Sequence, residues 1–162
     1  MVKKAIVSMC LFLMLSVAPA EAAEVELPGY TKLTYPESVK LKKTGCQKIN
    51  VSYETEEALS RENTFFLIAI TPKTSKRSVG SAAWFATLSH MGDKALPAMS
   101  RIGALQIKVC RKAWLFSSNA TKLTPAVQPG TFRIFFIGGT IDPLTGETMP
   151  KKVEIVRSIT FT

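Results

Sequence analysis

The chain has 162 residues, with 21 lysines and arginines against 12 aspartates and glutamates, a formal net charge of +9, three cysteines and 46% hydrophobic side chains. An ordinary apolar fraction and few cysteines exclude a disordered tail, a collagen-like repeat and a small domain held together by many disulfides. One compact domain is expected from this length.

The N-terminus carries the most specific signal in the sequence. Lys3 and Lys4 precede a nearly unbroken apolar run over residues 5–17, and small residues follow it. This is the pattern of a secretory signal peptide. The run is shorter than the roughly 20 residues that cross a bilayer, so a retained membrane anchor is disfavoured. We predict a signal peptide over residues 1–22, with cleavage after Ala20 as the alternative.

Localisation and domain organisation follow from this signal. The mature protein is expected to be secreted, periplasmic or on the cell surface, without an integral membrane span. An N-terminal extension is predicted at residues 23–37 and a folded domain at residues 38–162. The sequence carries no motif for a metal ion or an organic cofactor, so neither is predicted.

Cys46 and Cys110 are the only cysteines beyond the signal peptide. Export to an oxidising compartment favours a bond between such a pair, so we predict a disulfide, with two free buried thiols as the alternative. Neither a CxxC motif nor a histidine partner accompanies them. Redox catalysis and zinc binding therefore lack their ligands.

Hydrophobic residues recur at every second position through most of the remaining sequence, which is the period of a half-buried β-strand. This alternation predicts strands over residues 39–43, 49–53, 105–109 and 153–161. Residues 64–71 and 131–137 are almost continuously apolar, which indicates strands covered on both faces. A seventh strand is predicted over residues 79–88, and a helix over residues 81–91 is the alternative.

Seven short strands separated by turn residues predict an all-β fold, an antiparallel two-sheet sandwich. The arrangement resembles the immunoglobulin-like fold in its strand count and in the positions of Cys46 and Cys110. The resemblance implies that the strands carrying these cysteines are antiparallel neighbours. Because each cysteine shares a face with polar residues, both sulfurs are expected on the outer side of the sheet.

The same alternation places basic side chains on that outer face. They occupy outward positions of three strands that are expected to be neighbours: Lys40, Lys42, Lys48, Lys108 and Lys112. A basic face on an exported protein suits an anionic polymer, phospholipid headgroups or an acidic protein. Nucleic acid is disfavoured because no aromatic side chains interleave with the lysines. Lysines that only solubilise the sheet are the alternative.

The two continuously apolar strands need cover on their second face. Residues 89–101, residues 114–116 or another protein would each provide it, since monomers seldom expose large apolar patches.

Signals for catalysis are weak. His90 is the sole histidine. A serine hydrolase would need Ser89 beside it and Asp93 or Asp142 behind it, and the sequence has no GxSxG turn. We therefore predict a non-enzymatic module that binds an unidentified protein or an anionic surface or polymer. A small secreted hydrolase with an unrecognised site on its loops is the alternative.

Overall fold

The computed structural model describes residues 21–55, 64–85, 100–117, 120–140 and 153–162. This part of the chain is all-β and contains no helix that could span a membrane. Its strands are β1 (Ala22–Leu27), β2 (Thr31–Pro36), β3 (Ser38–Val39), β4 (Cys46–Thr55), β5 (Thr64–Pro72), β6 (Gly80–Phe85), β7 (Ile102–Cys110), β8 (Trp114–Leu115), β9 (Leu123–Thr124), β10 (Gly130–Thr140) and β11 (Val153–Phe161).

These strands form two main sheets and one small ribbon. The four-stranded sheet has the order β1-β2-β4-β7, the five-stranded sheet has the order β3-β11-β10-β5-β6, and β8 pairs with β9. The main sheets face each other. Tyr35 of β2 contacts Phe136 of β10 with ring centroids 5.1 Å apart, and Tyr53 of β4 contacts Phe66 of β5 at 5.4 Å. The buried side chains of both sheets belong to one hydrophobic core.

Alternation decides which residues of the four-stranded sheet are buried. Along β4, Ile49 and Val51 are buried, whereas Lys48 and Asn50 are exposed. β7 follows the same pattern. The half-buried strands predicted at residues 49–53 and 105–109 are therefore confirmed, and their apolar positions supply one wall of the core.

The five-stranded sheet is apolar on both faces of its central strands. In β5 and β10, the residues between the buried positions are half-buried, so the strands predicted at residues 64–71 and 131–137 are confirmed. Arg133 covers part of the outer face. Its guanidinium lies 5.4 Å from the ring centroid of Phe135 and donates to the carbonyl of Pro72 at 3.3 Å. Residues 86–99, which include most of one predicted cover, lie outside the described part.

The segment at residues 23–37 is part of the sheet rather than an extension ahead of the domain. β1 and β2 form an antiparallel hairpin, and β2 pairs with β4. Val25, Leu27 and Leu33 are buried in the core. Each strand has only six residues, so its alternation is brief. With this hairpin, the described residues contain eight strands of six residues or more and three of two residues, against the seven predicted.

The strand predicted over residues 39–43 is wrong beyond Val39. β3 pairs in parallel with β11, so the sheets are not purely antiparallel. Past Val39 the chain crosses towards the four-stranded sheet. The Leu41 N–H donates to the carbonyl of Thr162 at 2.8 Å, and Gly45, with a φ of 78°, turns the chain into β4. A segment that changes sheets cannot continue a strand in either one.

One close contact between the two main sheets requires a glycine. A Cβ added at Gly80, the first residue of β6, would lie 2.5 Å from the carbonyl oxygen of Lys108 in β7. Only glycine lets these two edge strands approach so closely. β6 confirms a strand over the first part of the predicted residues 79–88, and residues 86–91 lie outside the described part.

Candidate functional site

A disulfide joins two strands at one end of the four-stranded sheet, which we call the disulfide end. Cys46 and Cys110 are register partners in β4 and β7, with their Cα atoms 4.0 Å apart. So short a separation is typical of a non-hydrogen-bonded pair in an antiparallel ladder. The adjacent residues Gly45 and Arg111 are hydrogen-bonded, as the alternation of pair types in such a ladder requires: the Arg111 N–H donates to the Gly45 carbonyl at 3.0 Å. The predicted disulfide between neighbouring strands is confirmed.

The two sulfur-bearing residues differ in exposure. Cys46 is exposed as expected, whereas Cys110 is only 2% exposed. The chain that follows β9 runs against Cys110, because the Val127 N–H donates to the Cys110 carbonyl at 2.8 Å. Both cysteines lie on the outer side of the sheet, as expected from parity, but this side is exposed at Cys46 and covered at Cys110.

Two of the five predicted lysines lie directly opposite each other. Lys48 and Lys108 are register partners two positions from the disulfide. Because pair types alternate along the ladder, they form the same kind of non-hydrogen-bonded pair as the cysteines, in which side chains approach most closely. Both lysines are exposed, and neither makes an ion pair with another described residue. The structure thus concentrates two positive charges on one small area.

The other three lysines lie on connections rather than on neighbouring strands, so that part of the prediction is wrong. Lys40 and Lys42 belong to the segment that crosses between the sheets, and Lys112 follows the end of β7. Gln47 holds the crossing segment against β4: its Oε1 accepts the Lys42 N–H at 2.7 Å, and its Nε2 donates to the Lys40 carbonyl at 3.2 Å. The connections nevertheless return these lysines to the disulfide end. We call the set the basic cluster: Lys40, Lys42, Lys48, Lys108 and Lys112.

A shallow pocket of about 440 Å³ lies beside this cluster, and both Lys40 and Lys48 line it. It exists because the register between β2 and β4 ends at the pair of Thr34 and Ser52, after which the two strands separate. Backbone groups of β4 that point towards β2 have no strand partner beyond that pair among the described residues. The pocket therefore combines lysine side chains with backbone groups that can hydrogen-bond to a ligand.

Tyr35 also lines this pocket. Burial raises the pKa of its phenol above the ordinary value of 10.0, the carboxylate of Glu37 adds to the effect, and the guanidinium of Arg157 opposes it. The phenol stays neutral at physiological pH. Tyr35 therefore adds no negative charge to the pocket that Lys40 and Lys48 line.

The far half of the same sheet face carries an excess of carboxylates. Glu24, Glu26 and Glu54 are exposed there, against the cations Lys32 and Arg101. Lys32 of β2 is the register partner of both Glu26 in β1 and Glu54 in β4. The prediction of a basic sheet face is therefore wrong for half of that face, which is basic at the disulfide end and has more carboxylates than cations at the other. Two of these glutamates come from the hairpin that the sequence analysis left outside the domain.

The β8–β9 ribbon follows β7 at the disulfide end. The ammonium of Lys108 lies 4.3 Å from the ring centroid of Trp114, which in turn packs against Phe116 at 5.9 Å. Trp114 thus contacts the four-stranded sheet, although cover for the five-stranded sheet was one expectation for residues 114–116. Exposed apolar side chains on this ribbon carried no signal in the strand pattern. A search for apolar residues within basic stretches would have found them.

The candidate catalytic residues Ser89, His90, Asp93 and Asp142 lie outside the described residues. Within the described ranges, no group of three or more histidine, cysteine, aspartate or glutamate side chains could hold a metal ion.

No family model matches the sequence, and no curated protein matches it. Among solved structures, the chain is similar to the major subunit of the aggregative adherence fimbriae type I of Escherichia coli, with 11% sequence identity and a TM-score of 0.33. The match covers 88% of this chain and 96% of that one. Similarity at this level assigns neither a fold family nor a function.

Proposed function

We propose that the chain is an exported, non-enzymatic module that binds an anionic surface or polymer through the basic cluster. The observation that carries this proposal is the direct opposition of Lys48 and Lys108. Like charges directly opposite each other destabilise an antiparallel pair, on a scale of about 0.2–1 kcal/mol. An anion between the two ammonium groups removes this repulsion. The two opposed lysines therefore lower the stability of the free protein and favour the binding of an anion.

Further positive charges reach the disulfide end from the five-stranded sheet. The turn between β5 and β6 leads directly into Gly80, which lies against the backbone of Lys108. It exposes three basic side chains: Lys73, Lys76 and Arg77. A polyanion can contact several of these groups at once, so its binding should weaken steeply with salt.

Export is supported by the signal-peptide pattern and by a disulfide, which persists in an oxidising compartment. Two backbone interactions at the start of β1 favour removal of the signal peptide after Ala20 rather than after Ala22. The Glu37 N–H donates to the Glu21 carbonyl at 3.1 Å, and Ala22 is the register partner of Pro36. Cleavage after Ala20 retains both interactions.

An immunoglobulin-like arrangement of the two sheets is part of the proposal. Such domains place their first, second and fifth strands side by side in one sheet, opposite a sheet of the third, sixth and seventh. The orders β2-β4-β7 and β11-β10-β5 agree with this scheme. Loops at one end of such a fold commonly carry the binding site, which agrees with a site at the disulfide end.

Retention on immobilised heparin or dextran sulfate tests the function. Lys48→Glu/Lys108→Glu should elute at much lower salt than the wild type, because each substitution both removes a cation and repels the polymer. Single variants Lys108→Glu and Lys32→Glu form a matched pair, since they change the net charge equally on one sheet face. Equal losses from both single variants would show that net charge, rather than the basic cluster, is responsible, and would overturn the proposal.

A further inference from the structure

The β8–β9 ribbon, together with the residue that follows β8, exposes apolar side chains. Leu115 and Leu123 are register partners and therefore share one face. They are 48% and 56% exposed. Phe116 follows the end of β8, packs against Trp114 at 5.9 Å and is 63% exposed. Three of the five large hydrophobic residues that stand exposed in the described part of the chain are thus grouped on or directly beside one two-stranded ribbon.

Positive charge surrounds this apolar group. Lys112 precedes β8 and Lys122 directly precedes β9, and both are exposed. The ammonium of Lys108 lies against the ring of Trp114 at the base of the ribbon. The sequence contains no aspartate or glutamate between Asp93 and Asp142. The ribbon is therefore apolar and basic, with no carboxylate of its own.

The surroundings of the exposed apolar group indicate the kind of partner. Its charged neighbours in sequence, Lys112 and Lys122, are both cations. The interface of a bilayer accepts leucine and aromatic side chains near the acyl boundary, and anionic headgroups attract neighbouring lysines. The exposed apolar side chains therefore suit the acyl boundary, and the lysines around them suit the anionic headgroups.

We propose that the ribbon inserts Leu115, Phe116 and Leu123 into the interface of an anionic phospholipid bilayer, while the basic cluster contacts the headgroups. This inference rests on the proposed function, since it names the anionic surface as a lipid membrane. The position of Trp114 supports insertion of the ribbon together with headgroup contact by the basic cluster. It packs between the Lys108 ammonium and the Phe116 ring, and so joins the inserted side chains to the charged sheet.

Co-sedimentation with vesicles tests the insertion. The mature protein should bind vesicles of phosphatidylglycerol and phosphatidylcholine, and should not bind vesicles of phosphatidylcholine alone. Leu115→Ser/Phe116→Ser/Leu123→Ser should bind the anionic vesicles roughly a hundredfold more weakly, because it forfeits most of the apolar transfer. The same variant should elute from heparin at the salt concentration of the wild type.

Ile102 and Val156 provide the matched control, because they are also exposed, at 68% and 40%, but belong to β7 and β11. Ile102→Ser/Val156→Ser should bind vesicles as the wild type does. Wild-type vesicle binding by the ribbon variant would overturn the insertion and leave the proposed function intact. Unchanged heparin and vesicle binding by Lys48→Glu/Lys108→Glu would instead overturn the proposed function.

Tryptophan fluorescence distinguishes insertion from adsorption. Trp84 is 1% exposed, so Trp114 should account for quenching by lipids that are brominated on their acyl chains. We expect quenching in the wild type and none in Trp114→Phe. Co-sedimentation without quenching would mean that only headgroups are contacted, which overturns insertion. A dimer seen by analytical ultracentrifugation and lost in the ribbon variant would assign the apolar group to a second copy, and would also overturn it.

Discussion

The outer faces of the two main sheets differ, although the same alternation builds both inner faces. Outward residues of β4 and β7 are mostly polar and exposed, as Asn50 and Gln106 show. Outward residues of β5 and β10 are apolar and half-buried, as Leu67 and Phe135 show. One sheet is therefore free to carry a ligand site on its outer face, whereas the other uses that face for packing. The four predictions that follow test this difference.

Substitution of an inward side chain should cause the largest loss of stability in either sheet. Phe136 of β10 is fully buried and contacts Tyr35 across the core. Phe136→Ala should lower the free energy of unfolding by about 3–5 kcal/mol, because it leaves a cavity. Chemical denaturation measures this loss. A change below about 1 kcal/mol would mean that the two sheets do not share a tightly packed core.

The disulfide should stabilise the four-stranded sheet by nearly as much. Cys46 and Cys110 are 64 residues apart in sequence. In the chain-entropy model, closing such a loop contributes up to about 4 kcal/mol. Cys46→Ala/Cys110→Ala should therefore lower the midpoint of thermal unfolding, and adding reductant to the wild type should have a similar effect. A midpoint that both treatments leave unchanged would contradict this account.

Substitutions of outward side chains should show directly that the two sheets differ in the packing of their outer faces. Phe135→Ala should cost about 1–2 kcal/mol, because a half-buried ring and its contact with Arg133 are lost. Gln106→Ala, at an exposed position of β7, should change the free energy of unfolding by less than about 0.5 kcal/mol. Both values come from urea denaturation. Equal costs would show that the outer faces do not differ in packing.

The smallest effect should be a gain in stability. Lys48→Thr removes the repulsion with Lys108 and places a good strand former on β4, so it should stabilise the free protein by a few tenths of a kcal/mol at low salt. The part due to repulsion should disappear in about 1 M salt. Asn50→Thr, at the next outward position, controls for strand propensity. A larger gain from the Asn50 variant would remove the evidence for repulsion.

Alternation along the sequence predicted the strands that remain within one sheet, whereas the pairing of Cys46 with Cys110 was predicted from export and from the cysteine count. Alternation failed at residues 39–43, because a period of two shows which side chains are apolar and not where the chain leaves its sheet. That crossing depends on distant partners such as the carbonyl of Thr162. The acidic half of the outer face was missed for a related reason, since the short β1–β2 hairpin becomes a recognisable part of the sheet only once β4 is beside it.

The candidate site was predicted only in part. Parity placed Lys48 and Lys108 outward, and their direct opposition then followed from the register that the cysteines impose. Parity could not place Lys40, Lys42 and Lys112, because connections have no period. The strand pattern also missed the exposure of Phe116, because this residue lies beyond the end of β8 and strand periodicity does not describe it.

The separation of charge along β4 has a consequence for how the protein approaches its ligand. Lys48 lies at the positive end and Glu54 at the negative end, about 20 Å apart at the usual rise per residue of a strand. The described charges therefore give the molecule a permanent electric dipole moment along its strands. Near an anionic surface this dipole produces a torque that turns the disulfide end forward before contact, so raising the ionic strength should slow capture as well as weaken the complex.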